Sequence, residues 1–421
     1  MAIKYLNKPV FISALSCVFI FYSGFFKFPQ RNPYISLISK DDVCCIYGQL
    51  LSSPLKTSSQ KYYSSILEIY KTQNEKGFVS KCSCRISVYI PTEIVEAYYP
   101  GKLYSSANSS KSGKVFLETG AFCFLEGKFN AQGMFFANKC KESYWENNFL
   151  GQIDKFRALC RLQFKRLMFY WGEGGGLLLA LLCGAREYTD FETAQAFKNS
   201  GLSHILALSG MHLSMFSAIA LFIGKKLGRR KLSIFLKILM MLLFIWFAGL
   251  SPSLLRAFIF SMLILFATVC GTDKPDLIIV LCFCFLLQCI ISPSDIHNLG
   301  FILSYSALAG ILLTGRFFLR LYTKLFPGRL ALSLSSSTGA QIFTVPVSLK
   351  MFGSFCPIGI IAATVISPLI TLFIYCGLVL IVLCLIFPVM AKPSAIFVNF
   401  LYNIIKSLAI TFAKVPKWSL S

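Results

Sequence analysis

Hydrophobic and polar positions divide the chain into three regimes. Residues 9 to 26, PVFISALSCVFIFYSGFF, form one apolar run behind Lys4 and Lys8. No small-x-small cleavage site precedes Lys27, Phe28 and Pro29, so the run predicts an uncleaved first transmembrane helix with its N-terminus inside. From about Lys40 to Trp145 the apolar positions come in short, partly alternating stretches: VCCIYGQL, YYSSILEIY, KCSCRISVYI, GKVFLETGAFCFLEGKF and GMFFANKCK. Gly, Asn, Ser and Pro separate them, which predicts strands. About five short strands in about a hundred residues suit a small barrel of the OB type, and a sandwich fits the pattern nearly as well.

Beyond residue 200 long apolar runs take over, with candidate spans at 203–222, 232–250, 254–271, 276–292, 298–315, 333–352, 355–390 and 394–413. Pro357, Gly359 and Ser367-Pro368 interrupt the run 355–390, which reads as two short passes or a broken pair. The predicted fold is a polytopic α-helical membrane protein of about 8–10 spans carrying an inserted OB-like domain. Its expected divisions are an N-terminal helix in 1–30, the OB-like domain in 40–150, amphipathic surface helices in 151–200 and a multi-span domain in 201–421. In the third of these, IDKFRALCRLQFKRLMFY (153–170) sets Lys155, Arg157, Arg161, Lys165 and Arg166 among Phe, Leu and Met. That is a basic amphipathic helix for the membrane surface, touching either anionic lipid or a polyanion. The apolar piece 177–183 is too short to span.

Composition agrees with the pattern. Of 421 residues 56% are hydrophobic and 14% charged, and the mean hydropathy of +0.66 excludes an ordinary soluble domain. The formal charge of +23 fits both cytoplasmic loops rich in Lys and Arg and a lining for a polyanion. Charge placement orients the spans. Lys225, Lys226, Arg229, Arg230 and Lys231 mark a cytoplasmic loop, and counting outward puts Arg316, Arg320, Lys324 and Arg329 inside as well. The same count puts the OB-like domain and the start of segment 203–222 outside.

Sixteen cysteines are present, and most fall in apolar segments, where the thiol packs as a small hydrophobe. Cys44, Cys45, Cys82, Cys84, Cys123 and Cys140 lie in the polar stretch and are candidates for disulfides, with pairing open. That stretch has no His and no CxxC, so no zinc site is expected.

Candidate chemistry concentrates in AFKNSGLSHILALSGMHLSMF (196–216). It holds His204 and His212, two of the three histidines, and membrane histidines are functional candidates because burying them unpartnered is expensive. On one helix they stand roughly 12 Å apart, too far to share an ion. Ser209-Gly210 between them predicts a helix break. It also admits a serine nucleophile, although a histidine at i+3 is poorly placed as its base. Arg256, near the start of a span, either snorkels to the interface or faces a cavity. Ser304, Gln341 and Pro346 lie in spans rich in small polar residues, which suits a conduit and equally suits close helix packing.

The stretch AFKNSGLSHILALSGMHLSMF closely resembles the signature of ComEC-type competence proteins. The resemblance continues in order through ALLCGAREY, GLSPSLLRAFIF, LGFILSYSALAGIL and GAQIFTVPVSLKMFGSFCPIGIIAATVISPLI. It implies an inner-membrane channel importing single-stranded DNA during natural transformation, with the OB-like domain on the extracytoplasmic side. Many members carry a C-terminal metallo-β-lactamase-like domain; this sequence has no HxHxDH motif, so a separate nuclease is implied. The sequence also has no GxxxxGK[ST] loop, so energy must come from a partner motor or a gradient. A DNA receptor and a cytoplasmic translocation motor are the further expected partners, besides membrane lipid; no cofactor is expected. Two other readings stand beside it: a secondary transporter using His204, His212 and Arg256, and an intramembrane serine hydrolase centred on Ser209.

Overall fold

The computed structural model describes residues 8–22, 34, 36–57, 59–97, 116–226, 228, 230–272 and 274–419. The end of the first apolar run and Arg229 of the basic loop lie outside these residues. Within it, helix α1 covers Pro9–Tyr22.

The polar stretch folds into five long strands, β1 (Val43–Leu50), β2 (Tyr62–Asn74), β3 (Val79–Pro91), β4 (Phe122–Phe129) and β5 (Phe135–Tyr144), with a two-residue strand at Leu55–Lys56 beside β2. β1 pairs antiparallel with β2, β2 with β3, β4 with β5 and β1 with β4. A parallel pairing of Val88 with Phe135 and Tyr89 with Phe136 joins β3 to β5. The pairings thus run from β1 through β2, β3, β5 and β4 back to β1, with Leu55–Lys56 paired alongside the start of β2. Alternation decides what goes inside: Ile46, Leu50, Tyr63, Leu67, Ile69, Val88, Ile90, Leu125 and Phe135 are fully buried, while their strand neighbours other than Cys45 are less so. A short helix α2 (Thr92–Glu96) closes one end, with Val95 in the core and Glu96 accepting hydrogen bonds from Tyr63 and Lys56.

Helix α3 (Phe149–Tyr170) leads out of the barrel, capped by the Asn148 side chain, which accepts from Gly151 N–H at 2.6 Å. Helix α4 (Gly172–Cys183) has every residue from Gly174 onward buried, so this piece too short to span is a core element. Helices α5 (Phe191–Asn199), α6 (Gly210–Lys226), α7 (Arg230–Ala248), α8 (Pro252–Val269), α9 (Leu277–Ile291), α10 (Leu299–Tyr322), α11 (Gly328–Phe352), α12 (Gly359–Ile386) and α13 (Ala391–Ala413) follow. Among the described residues five helical segments are long and apolar enough to cross a membrane: 231–248, 252–269, 299–322, 359–386 and 388–413. Apolar side chains such as Phe222, Phe235, Phe266, Ile290 and Ile396 point outward, as they do where the surroundings are lipid. The protein is a multi-pass membrane protein with a β domain.

Two predicted boundaries are corrected. Residues 359–386 form one continuous helix through Pro368, not two passes or a broken pair; Pro346 likewise lies inside unbroken α11. Packing on neighbouring helices supplies what a proline removes in lipid. Helices α10 and α11 pack most closely at Gly310, where a Cβ would stand 2.1 Å from the Gly339 carbonyl oxygen. Small residues there serve packing.

Candidate functional site

Segment 200–212 does not begin as a helix. Residues 202 to 209 form turns and α6 starts at Gly210, so Gly210 is the helix's first residue rather than an internal break. His204 stands in the preceding turn, exposed, with Nδ1 3.2 Å from the Gly201 carbonyl oxygen. His212 is fully buried. Its Nδ1 accepts from the Ser209 backbone N–H at 3.2 Å and lies 3.3 Å from Ser209 Oγ. A side chain at the third helical position reaching back to the N-cap N–H is the geometry of a capping box, with His in place of Glu or Gln. Ser209 and His212 lie together, but the Nδ1 that faces Ser209 Oγ already accepts the Ser209 N–H. His212 Nε2 is buried without a hydrogen-bond partner among the described residues, so no third group orients the ring.

Arg256 reaches this helix start from α8: a Cβ on Gly210 would meet its Nη2 at 3.4 Å. The guanidinium lies over the Tyr305 ring, 5.9 Å from its centroid, and Nε is buried without a hydrogen bond. Around it runs a polar chain that sequence reasoning missed. Tyr305 donates to Gln288 Oε1 at 2.9 Å, Gln288 Nε2 donates to the Pro252 carbonyl at 3.0 Å, and the Cys284 thiol lies 3.4 Å from both the Tyr305 hydroxyl and the Arg256 carbonyl. Gln288 within LLQCII was the available signal: an amide buried in an apolar run needs partners. Ser304 is half-buried beside Tyr305 on α10. Gln341 approaches the other side of segment 200–212, its Nε2 at 2.8 Å from where a Gly359 Cβ would stand, close to Ser200 and Gly201. Gln341 Oε1 is buried without a hydrogen bond, and Pro346 is exposed on α11. Ser209, Gly210 and Arg256 therefore meet at the start of α6, while Gln341 lies by Gly359, Ser200 and Gly201.

On the barrel, Tyr63 turns inward, whereas Tyr62, Tyr89, Phe122 and Phe124 stay half-buried on the outside. Tyr89 stacks on Phe136 with centroids 4.8 Å apart and planes at 10°, and Tyr62 meets Phe136 edge-on at 5.5 Å. This platform lies at the starts of β2 and β5, beside the loops 51–61 and 130–134. A second group gathers around Phe122, with Tyr47, Tyr70 and Tyr144 at 6.1, 5.9 and 5.7 Å. Phe136, Tyr47, Tyr70 and Tyr144 were legible as outward positions next to buried ones.

Cys44, Cys45, Cys82, Cys84, Cys123 and Cys140 are all free thiols here. The Cys82 and Cys84 sulfurs, on one face of β3, are 3.6 Å apart, and those of adjacent Cys44 and Cys45 are 3.5 Å apart, well beyond a bonded separation. Burial pushes the Cys140 thiol up to about 12, which keeps it protonated and unreactive. Among the described residues no three His, Cys, Asp or Glu side chains are grouped so as to hold a metal ion.

Of the five basic residues of α3, Lys155 is exposed and Arg157 half-buried, while Arg161, Lys165 and Arg166 are buried in the fold. Lys165 Nζ is 3.0 Å from Glu187 and 3.8 Å from Glu118, and Arg161 Nε is 3.5 Å from Glu118. Burial alone raises the Glu118 carboxyl, but Arg161 and Lys165 outweigh it and hold it at about 2.

The architecture is thus that of a multi-helix membrane protein bearing a β domain, with Ser209, Gly210 and Arg256 meeting at the start of α6. Residues 181–421 match the family model described as Competence protein, so the chain belongs to that family. It is similar to ComE operon protein 3 of Bacillus subtilis (strain 168), at 29% identity over 206 residues, which is 48% of this chain and 26% of that protein. The matched stretch spans about a quarter of the length of that curated relative. No solved structure matches the chain.

Proposed function

We propose that the protein takes part in DNA uptake for transformation as an inner-membrane conduit, passing one strand from an extracytoplasmic barrel through the helices. The observation that carries this reading is the Competence family match over 181–421. The Tyr62–Tyr89–Phe136 platform supports it, because half-buried rings on the outer face beside the loops offer faces on which bases of a single strand stack. The junction of Ser209, Gly210 and Arg256 serves as the entrance to the helices. A receptor delivers DNA, a separate nuclease removes the other strand, and a cytoplasmic motor or a gradient supplies the energy. The test is uptake of fluorescent DNA by a deletion strain and by the complemented strain. Deletion should abolish cytoplasmic label while surface-bound label persists; normal cytoplasmic label in the deletion strain refutes the reading.

One observation favours an intramembrane hydrolase instead: the 3.3 Å approach of Ser209 Oγ to His212 Nδ1. A Ser209→Ala variant that retains full uptake disposes of that reading.

A further inference from the structure

Helices α3, α4, α6, α7 and α12 surround a cavity of about 540 Å³, within the size range of small-molecule sites. Leu167, Leu182, Phe216, Phe244 and Leu378 are among its lining side chains, and apart from Gln163 the lining is hydrocarbon, aromatic or sulfur-bearing. Ring contacts hold the wall in shape: Phe216 stacks on Phe244 with centroids 4.4 Å apart, and Phe164 meets Phe247 edge-on at 5.4 Å. The cavity opens sideways. Leu243 of α7 and Leu385 of α12 line it and are 47% and 58% exposed, and both helices are long and apolar enough to cross a membrane. Its mouth therefore faces hydrocarbon where these helices span. Left empty, the wall loses dispersion contacts all round. Water entering it would find almost no hydrogen-bonding partner. A lipid acyl chain restores the contacts and brings no polar group inside.

Charge selects among lipids. Lys237 precedes Met240 by three residues and Phe244 by seven on α7, so it shares the face that lines the cavity, one turn nearer the helix start. It stands seven residues, about 10 Å, inside α7 and is half-buried. Among the described residues it makes no hydrogen bond and no ion pair. An ammonium at that depth is expensive unless it meets an anion or reaches the interface. Helical side chains lean toward the helix start, which aims this one at the end of α7 that carries exposed Lys231. A headgroup phosphate at that end meets Lys237, while the chain beneath it runs from Met240 toward Phe247.

We propose that the cavity is a binding site for one acyl chain of an anionic phospholipid whose phosphate pairs with Lys237. The bound chain fills the gap that α7 and α12 leave over α3 and α4. The site is independent of what the helices carry, so it stands apart from the proposed role in DNA uptake.

The test is photo-crosslinking of the full-length protein in phosphatidylcholine nanodiscs holding a trace of phosphatidylglycerol with a diazirine midway along one acyl chain. Labelled positions are read by mass spectrometry. Phe235 and Val382, 59% and 54% exposed on the same two helices, report ordinary contact with bulk lipid. Phe244 and Leu378 should be labelled at least tenfold more than these two. Excess unlabelled phosphatidylglycerol should displace the cavity label, and excess phosphatidylcholine should not. Lys237→Gln should lower the cavity label about tenfold, as expected for one charge-assisted contact, and should leave the weaker label from a phosphatidylcholine probe unchanged. Leu378→Trp, which fills the cavity, should abolish both. Label confined to Phe235 and Val382 means bulk lipid only and overturns the site. Equal cavity labelling by the two lipids, or an unchanged preference in Lys237→Gln, overturns the pairing with Lys237 and with it the proposal. Cross-links from the lining to a co-purifying protein in place of lipid overturn it too. If Leu378→Trp does not fold, the unmodified protein decides: cavity label that persists under excess phosphatidylglycerol refutes the site.

Discussion

Single residues carry unequal weight here, and Glu118 carries the most. It is 2% exposed, and its charge is compensated by Arg161 and Lys165. Removing one member of a buried ion cluster leaves the rest uncompensated, at a cost of about 3–5 kcal/mol, so Glu118→Ala should lower the melting temperature of the purified protein far more than Glu126→Ala on the barrel surface. The pH dependence follows from the same geometry. Glu118 in the folded protein sits at about 2, below the ordinary 4.5. Its contribution is complete above about 4.5 and is lost as pH falls toward 2, a difference of about 3 kcal/mol at most. Glu187, raised by burial, acts with the opposite sign and reduces the net effect. Acid titration monitored by tryptophan fluorescence should therefore show a transition between about pH 4.5 and 2 that Glu118→Gln lacks; a transition unchanged in that variant contradicts the assignment.

At the scale of elements, the start of α6 shows how local chemistry settles a boundary. The His212 side chain accepts from the Ser209 N–H at the start of α6, and losing such a cap costs about 0.5–2 kcal/mol. His212→Ala should destabilise by that amount, and His212→Glu, which restores the usual capping pair, should recover most of the melting temperature. Recovery of stability without recovery of uptake would show that the imidazole does more than cap. The sequence pattern made this boundary hard to place because LSHILALSGMHL is apolar before and after the cap, so periodicity alone extended the span back to residue 203. The strands were more legible: each buried position in Tyr62–Ile69 alternates with an outward one, a period that burial on one face enforces. The fate of α3 was not legible. Five basic residues on an amphipathic helix read as a stripe for anionic lipid or a polyanion, and only the fold brings Glu118 and Glu187, distant in sequence, against Arg161 and Lys165. The chain Arg256–Tyr305–Gln288–Cys284 was hidden for the same reason, since it joins three helices.

For the whole molecule, the question is whether the barrel holds a strand or merely covers the helices. A platform of Tyr62, Tyr89 and Phe136 that stacks on bases should bind any single strand with little sequence preference, at about 1–3 kcal/mol per stacked base. The surplus of positive charge adds a term that weakens with salt. These two terms separate experimentally. Replacing Tyr89 and Phe136 by Leu keeps apolar cover over the barrel but removes the ring faces, so melting should change little while affinity for single-stranded DNA falls at least tenfold. The salt slope of the remaining binding should stay the same, because no cation was removed. Replacing Lys128 and Lys139 by Gln should do the reverse, flattening the salt slope while leaving the stacking contribution intact. If the ring substitutions leave affinity untouched and only the lysine substitutions matter, the barrel contacts DNA through its charge alone and the aromatic platform is packing.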